Sequence, residues 1–116
     1  MKRSAQQISE LTNSDSSVYS ATFIFRFKNY ESEFEHLNNI IDKAANTNTG
    51  FLGKESWSNE EENKRSVVYY WDSLESLKEF SNHPDHQKAK QSYNKWYSGY
   101  EVIISKVLTF KSDKGL

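Results

Sequence analysis

Val18-Tyr-Ser-Ala-Thr-Phe-Ile-Phe-Arg-Phe-Lys28 alternates: Tyr19, Ala21, Phe23, Phe25 and Phe27 share one face, while Ser20, Thr22, Arg26 and Lys28 dominate the other. A period of two with aromatic and β-branched residues predicts a strand. Directly after it, Ser32-Glu-Phe-Glu35 fits a capping box, in which the hydroxyl satisfies an orphan backbone N–H and the glutamate reaches back. Phe34, Leu37, Ile40, Ile41 and Ala44 then recur at three-to-four spacing, the apolar stripe of a helix of roughly four turns that ends in Asn46-Thr-Asn-Thr-Gly50.

Phe51-Leu-Gly-Lys-Glu-Ser-Trp57 predicts a second strand, and Ser66-Val-Val-Tyr-Tyr-Trp71 a third that is apolar throughout after its first residue, as expected of a strand covered on both faces. Between them, Ser58-Asn-Glu-Glu-Glu-Asn-Lys-Arg65 is too polar for anything but a solvated turn, so these strands form a hairpin. Asp72 or Ser73 caps a helix carrying Leu74, Leu77 and Phe80, which Asn82-His-Pro84 breaks because proline lacks the N–H of an interior helical position. Pro84 suits the first turn of another helix, along which His86, Ala89, Tyr93 and Trp96 lie at helical spacing. Ser98–Gly99 reads as a turn into a last strand, Tyr100 to Phe110.

The order strand, helix, strand, strand, helix pair, strand is the ferredoxin-like βαββαβ arrangement of an α+β domain with a four-stranded antiparallel sheet. The expected division is a loose tail at 1–16, rich in Ser, Asn and Gln, one domain over 17–112, and a short charged tail at 113–116. One layer of helices cannot serve Tyr19, Phe23, Phe25, Phe27, Trp57, Tyr70, Val102 and Ile104 together, so a homodimer is expected, the sheet of a second copy covering the bare face.

Composition narrows the function classes. With no cysteine, disulfides, thiolate metal sites and cysteine nucleophiles are excluded. Fifteen basic and sixteen acidic residues are interspersed without a basic stripe, which argues against a nucleic-acid partner. The start has no apolar run behind Lys2 and Arg3, and no stretch has the ~18 apolar residues of a membrane helix, so a cytoplasmic protein with no membrane partner is expected. Seven Phe, seven Tyr and three Trp in an otherwise polar chain point to an aromatic core or pocket wall.

Four stretches in this order and spacing, Gly50-Phe-Leu-Gly-Lys-Glu-Ser56, Tyr69-Tyr-Trp71-Asp-Ser-Leu-Glu-Ser-Leu77, His83-Pro-Asp-His86-Gln-Lys-Ala89 and Trp96-Tyr97-Ser-Gly-Tyr100-Glu-Val102, span about residues 18–110. Through them the chain resembles the antibiotic-biosynthesis-monooxygenase domain family, in its single-domain, uncharacterised branch. The resemblance implies a dimeric α+β barrel of two ferredoxin-like sheets. It also implies a superfamily that includes cofactor-free oxygenases of polycyclic phenols, haem-degrading enzymes and isomerases. The haem-degrading branch relies on an Asn, a Trp and a His; Phe80 and Lys90 stand where that Trp and His belong, which counts against haem. No cofactor is expected.

His83 and His86 flank Pro84 and are the candidate catalytic residues, since a neutral imidazole could take a proton from a phenol or quinol. The plainer reading, which outweighs it, is that His83 merely terminates a helix and His86 packs or hydrogen-bonds locally. No third ligand makes the pair a metal site, and His36 falls off the stripe of the first helix. Trp71, Tyr93, Trp96 and Tyr97 are candidates for a flat aromatic substrate pocket, or simply core. Arg26 either points into the cleft between sheet and helices, to hold an anionic substrate oxygen, or lies on an edge. Three functions remain open: a cofactor-independent monooxygenase or related oxidoreductase of a small aromatic or polyketide-like substrate; a non-catalytic module binding a small hydrophobic ligand or a partner; or an isomerase or lyase with histidine as proton shuttle.

Overall fold

The computed structural model describes residues 17–27, 32–91, 93–113 and 115, and at 32–34, 37, 85, 89, 93 and 95 the backbone alone. The expected N-terminal tail lies outside the described residues. The elements are β1 (Val18–Phe27), α1 (Ser32–Thr47), β2 (Phe51–Asn59), β3 (Lys64–Trp71), α2 (Leu74–Ser81), α3 (Pro84–Gln91), α4 (Tyr93–Trp96) and β4 (Tyr97–Val107). The four strands form one antiparallel sheet in the order β2-β3-β1-β4, the ferredoxin-like α+β fold expected from the element order. No helix among the described residues is long and apolar enough to cross a membrane.

The pleat of β1 sorts the molecule into two faces. Phe23 lies opposite Val67 on β3 and Val102 on β4, and Phe25 opposite Arg65 and Tyr100, so these side chains share the face that the helices cover. On that face Phe51, Trp71, Leu77, Phe80 and Ala45 form the buried core, with Tyr19, Ala21, Ile41, Ala44 and Tyr69 packed around it. Across the sheet, Val18 and Leu52 are buried with Tyr70, Val107 and Phe110 beside them. The eight apolar residues from which a bare face was expected therefore divide unevenly. Tyr19, Phe23, Phe25, Phe27, Val102 and Ile104 go to the helix side, and only Trp57 and Tyr70 to the other.

Local chemistry fixes the ends of the elements. Ser73 is the N-cap of α2, its Oγ accepting from the Ser76 N–H at 3.1 Å. Pro84 opens α3, where a missing N–H costs nothing. The polar turn shrinks to Glu60–Asn63, and Asn63 takes a φ of 51°, left-handed backbone that asparagine tolerates. At the entry to β2 the ladder skips Leu52, and the bulge is closed by Gly53 with a φ of 120°, which few side-chain-bearing residues adopt.

The last strand begins earlier than the sequence suggests. Ser98–Gly99 is not a turn. Phe27 pairs with Tyr97 and Arg26 with Gly99, so Ser98 is the extra residue of a β-bulge and β4 starts at Tyr97. Of the helix expected to run through His86 and Trp96, the structure describes Pro84–Gln91 and Tyr93–Trp96, residue 92 lying outside the described residues.

One junction ties the two halves. The Gly50 N–H donates to Asn48 Oδ1 at 2.9 Å, the Asp72 N–H donates to the Gly50 carbonyl at 2.8 Å, and Asn48 Nδ2 donates to the Ser76 carbonyl at 3.2 Å. A Cβ on Gly50 would run into Ser76 Oγ and Asp72 Oδ1 and lie 2.6 Å from Ser76 Cβ, a clash that no side-chain rotation removes. Gly50→Ala should therefore lower stability by about 1–3 kcal/mol, the usual cost of overpacking. In a thermal melt this is a drop of at least about 4 °C. An unchanged melting temperature would show that the junction yields freely.

Candidate functional site

Between the helix layer and the β1–β4 half of the sheet lies a cavity of about 510 Å³. Its floor is aromatic: Phe23 and Phe25 stack at 5.0 Å, and Tyr97 meets them at 5.3 and 4.8 Å. Ala21 leaves room where a larger β1 residue would fill the space, and Ile41, Leu77 and Phe80 descend from the helices. On the β4 side Tyr100, Val102 and Ile104 line the cavity yet remain 48–57% exposed, so this is where it meets solvent. The walls are mainly apolar with a few polar groups, the usual make-up of a small-molecule site.

His86 and Lys90, one helical turn apart on α3, supply most of the polarity from the helix side. The His86 ring sits edge-on to Phe80 at 4.8 Å, and its Nδ1 is buried with no hydrogen-bond partner among the described residues. Burial first, and then the nearby charges of Lys90 and His83, lower its pKa to about 4, so the imidazole is neutral at physiological pH. Lys90 Nζ donates to Ser81 Oγ at 2.9 Å and lies 3.4 Å from the Ser81 carbonyl.

Tyr69 forms another wall. Its hydroxyl donates to Asp42 Oδ1 at 3.1 Å, and Lys54 Nζ bridges both Asp42 oxygens at 2.8 and 2.7 Å. Burial, reinforced by the Asp42 charge, pushes the Tyr69 phenol far above its ordinary range, and burial does the same for Tyr97, so both remain protonated donors. Tyr69 also borders a second cavity of about 380 Å³, lined by Lys54, Arg65 and Phe27. No group of three or more metal-ligating side chains occurs among the described residues.

Of the residues singled out from sequence, the structure brings His86, Trp96 and Tyr97 to the large cavity. Trp71 is fully buried between Phe51 and Phe80, at 5.1 and 5.0 Å, and belongs to the core rather than the cavity lining. His83 is half-buried at the α2–α3 break, its N–H donating to the Phe80 carbonyl at 3.1 Å, and is not a lining residue. Arg26 follows the parity of β1 to the opposite face, where its Nε donates to the Glu62 carbonyl at 3.0 Å. The Tyr93 side chain lies outside the described set, and His36 is exposed on α1. Sequence reading passed over Asn38, Tyr69, Ser81 and Lys90 as lining residues. The four-residue step from His86 to Lys90 was the one available signal.

The monooxygenase af470-like family model matches residues 19–107. YqjZ, an uncharacterized protein of Bacillus subtilis, is 39% identical over 74 residues, which is 63% of this chain and 63% of that protein. The match thus spans less than two thirds of the relative's length. Among solved structures, SnoaB, a cofactor-independent oxygenase from Streptomyces nogalater, is similar with a TM-score of 0.61 at 12% identity, over 87% of this chain and 97% of that one. NE2512 of Nitrosomonas europaea, a protein of unknown function, gives 0.65 at 11% identity over 86% and 98%. A dabb family protein with a ferredoxin-like fold from Mesorhizobium loti gives 0.57 at 14% identity over 77% and 95%. At these identities the solved structures establish a common fold.

The environment of His86 has a consequence for stability. Its folded pKa of about 4 lies below the ordinary 6.5, so the neutral form is the one the fold favours. The associated stability is complete above pH 6.5 and is lost as pH falls towards 4. Allowing for screening of a group that keeps some water contact, the loss should be roughly 1–2 kcal/mol. Melting temperatures from pH 7.5 to 4 should fall more steeply for the wild type than for His86→Gln, carboxylate contributions cancelling in the difference. Parallel curves would place the imidazole in water.

Proposed function

The chain belongs to the monooxygenase af470-like family, of the antibiotic-biosynthesis-monooxygenase type, and from this premise we propose that it is a cofactor-independent oxygenase of a small aromatic or polyketide-like substrate. The observation that carries the reading is the apolar cavity of about 510 Å³ with a neutral, inward imidazole, His86, on its wall. Such a reaction asks little chemistry of the protein. A methylene or ring C–H activated by neighbouring carbonyl and phenol groups gives up a proton, and the resulting anion reduces O₂. Carbon and oxygen then couple, and the hydroperoxide eliminates water. One oxygen atom stays on the substrate as a carbonyl and the other leaves as water with the two substrate hydrogens, so the substrate supplies every electron. The protein contributes an apolar enclosure, donors for the oxyanion and an acceptor for the proton. In this assignment Tyr97 is a donor, Tyr69 with its hydroxyl committed to Asp42 forms a wall, Phe23, Phe25 and Trp96 hold the ring system, and His86 is the acceptor.

One observation favours a second reading, that of a binding module without chemistry. A pKa of about 4 makes His86 a weak base, effective only when the anion it creates stays beside it and stabilises the imidazolium. Oxygen uptake with a panel of polycyclic phenols and hydroquinones separates the two. The oxygenase should consume O₂ in proportion to product, and His86→Ala should lower turnover by roughly 10²–10⁴-fold with folding intact. Tight binding of the same compounds without uptake would establish the binding module instead.

A homodimer belongs to the same proposal. The face turned away from the helices carries Trp57, 66% exposed, and Ile103, 46% exposed, with Ile24 and Val68 half-buried beside them, and a second sheet would cover them. Light scattering at micromolar concentration should give the mass of two chains, and Ile103→Glu combined with Trp57→Ser the mass of one. A monomeric wild type, or a dimer indifferent to both changes, would overturn sheet-to-sheet pairing.

A further inference from the structure

We propose that Lys90 makes the cavity selective for aromatic ligands bearing an ionised oxygen, as phenolate or carboxylate; this rests on the reading of the cavity as a ligand site. Among the described lining residues Lys90 carries the only formal charge, since there is no aspartate or glutamate and His86 is neutral. Its ammonium is held by Ser81 Oγ and the Ser81 carbonyl, both uncharged, and no carboxylate of the described residues pairs with it. Asp42, on the helix layer, is taken up by Lys54 and the Tyr69 hydroxyl and does not line the cavity. A cation with no counter-ion among the described residues, beside a low-polarity space, suits an anion, because Coulomb attraction there is screened less than in open water.

The geometry of α3 supports this use. His86 and Lys90 sit one turn apart on one side of the helix, so a ligand oxygen between them meets an ammonium and an imidazole together. Lys90 is itself exposed, so its charge stays solvated until a ligand arrives, while the rings of that ligand reach Phe23, Phe25 and Trp96 inside. The bland alternative is that Lys90 merely satisfies the last carbonyl of α2, where a cation is favourable in its own right. Removing a helix cap changes stability, whereas removing an anion contact changes which ligands bind.

The test is binding of three probes to the full chain at pH 7, measured calorimetrically: 2-naphthoate, its neutral methyl ester, and 2,4-dinitro-1-naphtholate, whose phenol is ionised at that pH. The wild type should bind at least one anion roughly tenfold more tightly than the ester, the size of one charge-assisted contact. Preference for the naphtholate alone would specify a phenolate, and for the naphthoate alone a carboxylate. Lys90→Met should abolish the preference and leave ester affinity unchanged, Lys90→Arg should restore it, and Ser81→Ala should weaken it in part. Lys90→Met that keeps the anion preference, or that loses ester and anion equally along with melting temperature, would overturn the role of Lys90 while leaving the cavity as a ligand site. A wild type that binds none of the probes would overturn both readings.

Discussion

Hydrogen bonding of β1 along both of its edges is the constraint on which the rest of the structure depends. The strand is paired with β3 over Tyr19–Phe25 and with β4 over Val18–Phe27, so it cannot slip by one residue without inverting every side chain and breaking two ladders together. Its phase sends Phe23 and Phe25 towards the helices and Thr22 and Ile24 away, and its neighbours inherit that choice. Val67, Tyr69 and Trp71 on β3, and Tyr100, Val102 and Ile104 on β4, face the helices because they stand opposite odd-numbered β1 residues. Aromatic contacts of 5.0 and 5.1 Å along Phe23, Phe25 and Phe27 reinforce one phase, since the other would expose all three rings.

From that phase follows a sandwich that is solid at one end and hollow at the other. Where β2 begins and β3 ends, Phe51, Trp71 and Phe80 interlock at about 5 Å and Ala45 packs with them in the buried core. Towards β4 the helix layer consists of α3 and α4, and the floor there includes the small Ala21. The strand order places β4 at the sheet edge, where its helix-facing Tyr100, Val102 and Ile104 are about half exposed, while Val67 and Tyr69 of β3 are half-buried and Trp71 is buried. The cavity is thus a product of topology and residue size acting together.

What could be read from the sequence was whatever local chemistry decides. Alternation in β1, a cap at Asp72 or Ser73, the Pro84 start and a polar turn within Ser58–Arg65 are each set within a few residues, and they suffice for the element order and the fold. The features that were not legible are decided by pairing across the chain. Ser98–Gly99 has the composition of a turn, but β1 holds the chain in a ladder there and makes Ser98 a bulge. Trp71 ends a strand before a helix cap, a plausible pocket mouth, yet Phe51 and Phe80 arrive from distant elements to enclose it. Arg26 is the instructive case. The same alternation that identified β1 already assigned it to the face opposite Phe25 and Phe27, so a place in the cleft conflicted with the reading's own parity. The cation that does line the cavity, Lys90, was displayed four residues after His86, but nothing local says that this side of α3 turns inward.

The electrostatics of the cavity depend on where the acid is put. Asp42 sits on α1 above the same sheet, and a bare carboxylate there would repel any ligand that develops negative charge. It is instead held between Lys54 and the Tyr69 hydroxyl, behind the ring that forms the cavity wall. Tyr69 therefore has two effects: its phenol is kept protonated by burial and by Asp42, and its ring separates that charge from the space beyond. On the cavity side remain the protonated Tyr97, the neutral His86 and the Lys90 cation. An environment made of donors and one cation, with the anion paired off outside it, stabilises an oxyanion more than the neutral molecule from which it forms. In the proposed reaction that difference would lower the cost of deprotonating a bound phenol or activated methylene, and so offset the weak basicity of His86 as acceptor.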